Sequence, residues 1–122
     1  MDGCTTAALG AAGEGCARLF LEAHGFRTVT TRHRTRHGEI DLIARRGELL
    51  LFVEVKARRG DRCGRPQEAV TRAKLARLRA LAAAYLSEHG GDGCRVFRFD
   101  VIAVTFQGEG RGCRLEHFAG VT

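Results

Sequence analysis

Glu39, Asp41, Glu54 and Lys56 are the residues of this chain whose types and spacing point to chemistry. They sit in two apolar runs, Gly38-Glu39-Ile40-Asp41-Leu42-Ile43-Ala44 and Leu49-Leu50-Leu51-Phe52-Val53-Glu54-Val55-Lys56. Residues two apart on a strand point to the same side, so Glu39 is co-facial with Asp41 and Glu54 with Lys56. Arg46-Gly47 reads as a two-residue hairpin turn, which sets Glu39 opposite Glu54, Asp41 opposite Phe52 and Ile43 opposite Leu50. Ile40, Leu42, Leu49, Leu51, Val53 and Val55 then form one apolar face, and the other face gathers the three carboxylates and Lys56 within roughly 5–8 Å. Facing like charges repel, and a divalent cation is the simplest remedy. An all-oxygen site suits Mg²⁺ or Mn²⁺, with Asp41 and Glu54 as ligands and Glu39 beside them. A cation held there would activate water for attack on phosphorus and stabilise charge on a phosphate, while Lys56 orients the water or stabilises negative charge. Without the cation, crowding should raise the carboxyl pKa values.

The flanking sequence must position this hairpin. Thr6 to His24 reads as a helix ended by Gly25, with Leu9, Cys16, Phe20 and Leu21 on one face and Glu14 among Gly10, Gly13 and Gly15. Glu14 is either a solvated helix residue or a further carboxylate aimed at the hairpin. Phe26 to Arg34 reads as a strand, and Arg32, His33, Arg34, Arg36 and His37 make a basic edge before Glu39; the two histidines read as solvated rather than as ligands. Ala57 to Pro66 reads as an exposed, mobile Gly/Arg loop in which Arg58, Arg59, Arg62 and Arg65 are placed to meet phosphates. Pro66 suits the start of a second helix running to about Glu88. Its buried face is Val70, Ala73, Leu78, Leu81, Ala82 and Tyr85, and Gln67 and Lys74 flank the loop. Arg95 to Phe106 and Cys113 to Phe118 read as strands, with Asp100 as a satisfied structural carboxylate. The order α-β-β-β-α-β-β predicts an α/β fold, a mixed central β-sheet flanked by two helices.

With 122 residues and 44% hydrophobic content, the chain reads as a single domain spanning residues 1–122. No apolar run is long enough for a membrane span and no secretory signal is evident, so no membrane partner and a cytoplasmic location are expected. Cysteines 4, 16, 63, 94 and 113 lack zinc spacing and read as reduced, incidental thiols. The net charge of +6 is uneven: Arg27 to Arg79 holds 15 Lys/Arg against 6 Asp/Glu. That excess surrounds the acidic hairpin and points to a polyanionic partner such as nucleic acid.

Asp41 followed by Glu54-Val55-Lys56 resembles the PD-(D/E)xK nuclease signature. The wider text is more specific: Leu9-Gly10, Gly13-Glu14, Gly25-Phe26, the whole Gly38–Ala44 run, Phe52–Lys56, Gly64, Pro66, Glu68-Ala69-Val70, Lys74 and Arg98-Phe99-Asp100-Val101 resemble the YraN family of small bacterial proteins. That resemblance implies a restriction-endonuclease-like fold similar to archaeal Holliday junction resolvases, metal ligation by Asp41 and Glu54, a catalytic Lys56, and Glu14 completing the site. Resolvases of this fold work as dimers, so a homodimer is implied. One departure is visible: where the family usually has Asn and then an aromatic before the arginine, this chain has Arg32-His33-Arg34.

Two functions follow as expectations. One is a metal-dependent endonuclease acting on DNA, branched or junction DNA included, by phosphodiester hydrolysis. The other is a non-catalytic nucleic-acid-binding or adaptor protein that retains the nuclease fold.

Overall fold

Leu49-Leu50-Leu51-Phe52-Val53 is apolar without alternation, the mark of a strand covered on both faces. It forms the centre of the sheet. The computed structural model describes residues 6–60, 71–91, 93–108 and 112–121. They form helix α1 (Thr6–Ala23), strands β1 (Arg27–Thr35), β2 (Gly38–Arg46) and β3 (Leu49–Arg59), helix α2 (Arg72–His89), and strands β4 (Val96–Phe106) and β5 (Cys113–Phe118). The element order and the mixed α/β class are those read from the sequence. The strands lie in the order β1-β2-β3-β4-β5. Only β3 and β4 run parallel, as required where a helical crossover rather than a hairpin joins two neighbours.

The helices cover opposite faces. Ala17 and Leu21 of α1 pack with Leu42, Ala44, Leu51, Val53, Ile102 and Val104. Leu78, Leu81, Ala82 and Tyr85 of α2 pack with Ile40, Ile43, Leu50 and Phe52. α1 ends in a Schellman motif: Phe26 N–H donates to Leu21 O and Gly25 N–H to Glu22 O, with Gly25 at φ 88°. α2 starts at Arg72 rather than at Pro66, because Thr71 is its N-cap, extended at φ −120°, with its side chain accepting from Lys74 N–H. Ala73 is accordingly exposed; Gln67 and Val70 lie outside the described residues, as do Arg62 and Arg65.

Two further expectations are corrected. The hairpin turn is Gly47-Glu48, since Arg46 pairs with Leu49, Ile43 with Phe52 and Leu42 with Val53. Gly47 has φ 60°, so the glycine takes the first central position of the turn, where a positive φ is needed, rather than the second. The pairing therefore differs from that drawn with Arg46-Gly47, which had Ile43 opposite Leu50. The second correction is that Ala57, Arg58 and Arg59 extend β3, paired to Val104, Thr105 and Phe106 of β4, instead of opening a loop.

Candidate functional site

Regular alternation fails at Asp41, and the site is built on that failure. Ile40 and Ile43, three apart, both pack under α2, whereas Leu42 packs under α1. The slip lets Asp41 and Glu39 turn toward α1, where one carboxylate oxygen from each lies within 4.8 Å of one from Glu14. Among the described residues the β2–β3 ladder stops at Leu42–Val53. Just beyond it Asp41 Oδ2 accepts the Val55 N–H at 2.8 Å, standing in for a ladder bond at the fork.

Burial pushes the Asp41 carboxyl up to about 7; the Val55 N–H opposes the shift, and the charges of Glu54, Glu14 and Glu39 add to it. Glu54 is therefore an electrostatic neighbour of the cluster although it is not within its tight triad. Its carboxylate meets Arg77 of α2 at 3.6 Å. Lys56, two residues on, shares that direction by strand alternation and is exposed. The single carboxylate face drawn from the sequence is thus two groups: Glu14, Glu39 and Asp41 toward α1, with Glu54 and Lys56 across the fork.

Arginines fringe the cluster. Arg32 Nε donates to Glu14 Oε1 at 2.8 Å, and Arg34 Nε to Glu39 Oε2 at 3.2 Å. Arg32 has φ 50°, a left-handed conformation in which Asn is far more at ease. Its guanidinium is held charged by the hydrogen bond and charge of Glu14, with Glu39 and Asp41 adding. Sequence reasoning does not single out Arg32 and Arg77 as site residues; for Arg32 the break with the usual Asn is the available signal.

The remaining expected residues are spread around this core. Arg36 is exposed next to His37, with 3.4 Å between Arg36 Nε and His37 Nε2. Lys74 is half-buried in the first turn of α2, and Arg59 half-buried at the end of β3. Arg58 is a correction: it is only 6% exposed, and its Nε donates to Thr105 Oγ1 at 3.3 Å, because it belongs to a strand and not to a loop. Asp100 is fully buried and fully accounted for by Arg98 at 2.9 and 3.0 Å, His117 Nε2 at 2.7 Å and the Gly120 N–H at 3.0 Å. Burial alone would raise its carboxyl; the bonds from Arg98, Gly120 and His117 outweigh that and hold it below the usual range.

The oxygens of Glu14, Glu39 and Asp41 fit a hard divalent cation: three donors are close and partly buried, and burial first, neighbouring charge second, keep the Asp41 carboxyl protonated up to about 7. Mg²⁺ and Mn²⁺ take such ligands and keep waters in their other positions.

Fold and site together define an α/β protein with a partly buried carboxylate cluster fringed by arginines. The chain belongs to the uncharacterised protein family UPF0102, whose profile matches residues 13–104; this is the YraN family. It is 50% identical over 110 residues to a UPF0102 protein of Pelotomaculum thermopropionicum, covering 90% of this chain and 91% of that one. It is 51% identical over 114 residues to one of Beutenbergia cavernae, covering 93% and 95%, and 46% identical over 117 residues to one of Anaeromyxobacter dehalogenans, covering 96% and 85%. No helix among the described residues is long and apolar enough to cross a membrane.

Proposed function

We propose that this chain is a metal-dependent endonuclease that hydrolyses phosphodiester bonds in DNA, with branched or junction DNA the substrate class to test first. The observation that carries this reading is Asp41 at the strand fork, within 4.8 Å of Glu14 and Glu39 and raised to about 7 by burial and by the carboxylates around it. A site that costs this much electrostatically is relieved by a cation. When bound, Mg²⁺ or Mn²⁺ supplies Lewis-acid stabilisation of phosphate charge and activates water for attack at phosphorus. Asp41, Glu39 and Glu14 would hold it, and Glu54 would add charge from across the fork. Lys56, exposed and beside Glu54, would donate to a phosphate oxygen as negative charge builds there. Arg32, whose side chain is about half exposed, holds Glu14 meanwhile and can swing out. Arg34 and Arg36 would contact flanking phosphates, and a second copy of the chain would serve the opposite strand.

Linear, flapped and four-way DNA substrates incubated with Mg²⁺ or Mn²⁺ give the test. At least one should be nicked, and Asp41→Ala, Glu54→Ala and Lys56→Ala should abolish nicking while circular dichroism stays unchanged. If every substrate stays intact under both metals, the reading is wrong.

One observation favours the non-catalytic alternative: Glu14, Glu39 and Glu54 each already have an arginine partner, so the cluster can stand without a cation. In that case the Glu54→Ala protein binds DNA as the wild type does, and Mn²⁺ leaves the melting temperature where it was.

A further inference from the structure

A second group of ligating side chains lies where β1 meets the end of α2. His33, expected to be solvated, has its Nε2 shut off from solvent and without a hydrogen-bond partner. A buried polar nitrogen left unpaired keeps its full desolvation cost and calls for an explanation. The His33 ring stands edge-on to Tyr85 at 5.0 Å and to His89 at 5.4 Å between centroids, and His89 leans on Tyr85 at 4.7 Å. Glu88 and His89 close the last turn of α2, with His89 Nε2 3.4 Å from Glu88 Oε1. One donor atom from each of His33, Glu88 and His89 lies within 4.8 Å of the others.

We propose that His33, Glu88 and His89 form a site for a borderline divalent transition-metal ion of the Zn²⁺ class, separate from the carboxylate cluster. Two imidazoles and one carboxylate are a ligand set that zinc takes readily, with a fourth position open to water; Mg²⁺ prefers oxygens alone. The C-terminal end of α2 carries partial negative charge that favours a cation there. Such an ion ties α2 to β1, the strand that carries Arg32 and Arg34 to the acidic cluster, and so braces that cluster from the opposite face of the sheet.

Untagged, metal-stripped full-length protein titrated with Zn²⁺ by calorimetry, and with Co²⁺ by visible absorption, tests this. The His33→Phe variant keeps an aromatic ring against Tyr85, and His89→Ala alters an exposed residue, so melting curves should show both folded. Zn²⁺ should bind wild type and the Asp41→Asn protein with equal affinity, and the tetrahedral Co²⁺ bands should appear in both. Each histidine variant should lose at least about 30-fold in Zn²⁺ affinity, together with those bands. No Zn²⁺ binding by wild type, or a smaller loss in folded His33→Phe, overturns the proposal. Equal weakening by Asp41→Asn also overturns it, since the zinc would then sit in the carboxylate cluster.

Discussion

Asp41 is a residue whose folded environment opposes its own ionisation. Its carboxyl titrates at about 7 in the folded chain against an ordinary 3.8, so between those pH values the unfolded chain has released a proton that the folded chain still holds. Stability therefore falls as pH rises through that window and levels off above it. Allowing for its partial exposure, the loss amounts to about 2 kcal/mol. Asn at this position keeps an acceptor for the Val55 N–H and carries no charge. Asp41→Asn should accordingly raise the melting temperature at pH 8 by about 5–8 °C and by only about a third as much at pH 5, where the folded carboxyl still holds its proton and the unfolded one has largely lost it. It should abolish DNA cleavage at both. Melting curves at the two pH values decide the matter; an equal shift at both would mean that the gain comes from packing and not from the charge. A gain in stability with a loss of activity is what a site built at the fold's expense should give.

At the level of elements, the site depends on how closely α1 lies on β3. Gly13 is a point of close approach: a Cβ there would stand 2.6 Å from the Ala57 Cβ, so the helix or the strand would have to give way. Gly13→Ala would gain about 1 kcal/mol of helix propensity and lose about 1–3 kcal/mol through overpacking. It would also lift Glu14, the next residue, away from Asp41. The expected outcome is a net loss of stability with a larger loss of cleavage, and the Gly13→Ala/Ala57→Gly double variant should recover both. An unaltered Gly13→Ala protein would show that the approach is not tight. The helices, strands and core of this arrangement are legible in the sequence because apolar periodicity and Gly25 mark them within a few residues. The carboxylates are legible for the same reason, since charges in apolar strands stand out. Their grouping is not. It depends on a left-handed Arg32, a slipped alternation at Asp41 and a turn at Gly47-Glu48, each a local departure from the regular geometry on which pattern reading rests. The sequence suggests too early a start for α2 because Pro66 is a strong local signal, whereas Thr71 acts as a cap only once the chain has turned there. Arg58 looks like a loop residue because nothing in Ala57-Arg58-Arg59 announces that β3 continues beside β4.

Over the whole molecule, charge is arranged so that a negative site sits inside a positive surround. The net charge is +6, and the segment Arg27 to Arg79 carries an excess of 9 positive charges. If DNA is the partner, each phosphate neutralised releases counterions, and the logarithm of affinity should fall with the logarithm of salt by about 0.9 per neutralised phosphate. Which arginines take part follows from exposure rather than from composition. Arg34 and Arg36 are exposed at the β1–β2 end, beside Glu39, whereas Arg58 spends its Nε–H on Thr105 inside the sheet. Replacing Arg34 and Arg36 by Ala should weaken binding at low salt and reduce the slope by about 2, since two phosphates would then go without a cationic partner. Arg58→Met should leave the slope where it was and lower the melting temperature instead, because it removes the buried bond to Thr105. Fluorescence anisotropy against a salt series, in a Glu54→Ala background in which the proposed cleavage should be lost so that the probe stays whole, separates the two. A slope that changes with Arg58→Met and not with the Arg34/Arg36 pair would place the nucleic acid on another face of the molecule, away from the carboxylates, and would break the link between the basic surface and the site at the strand fork.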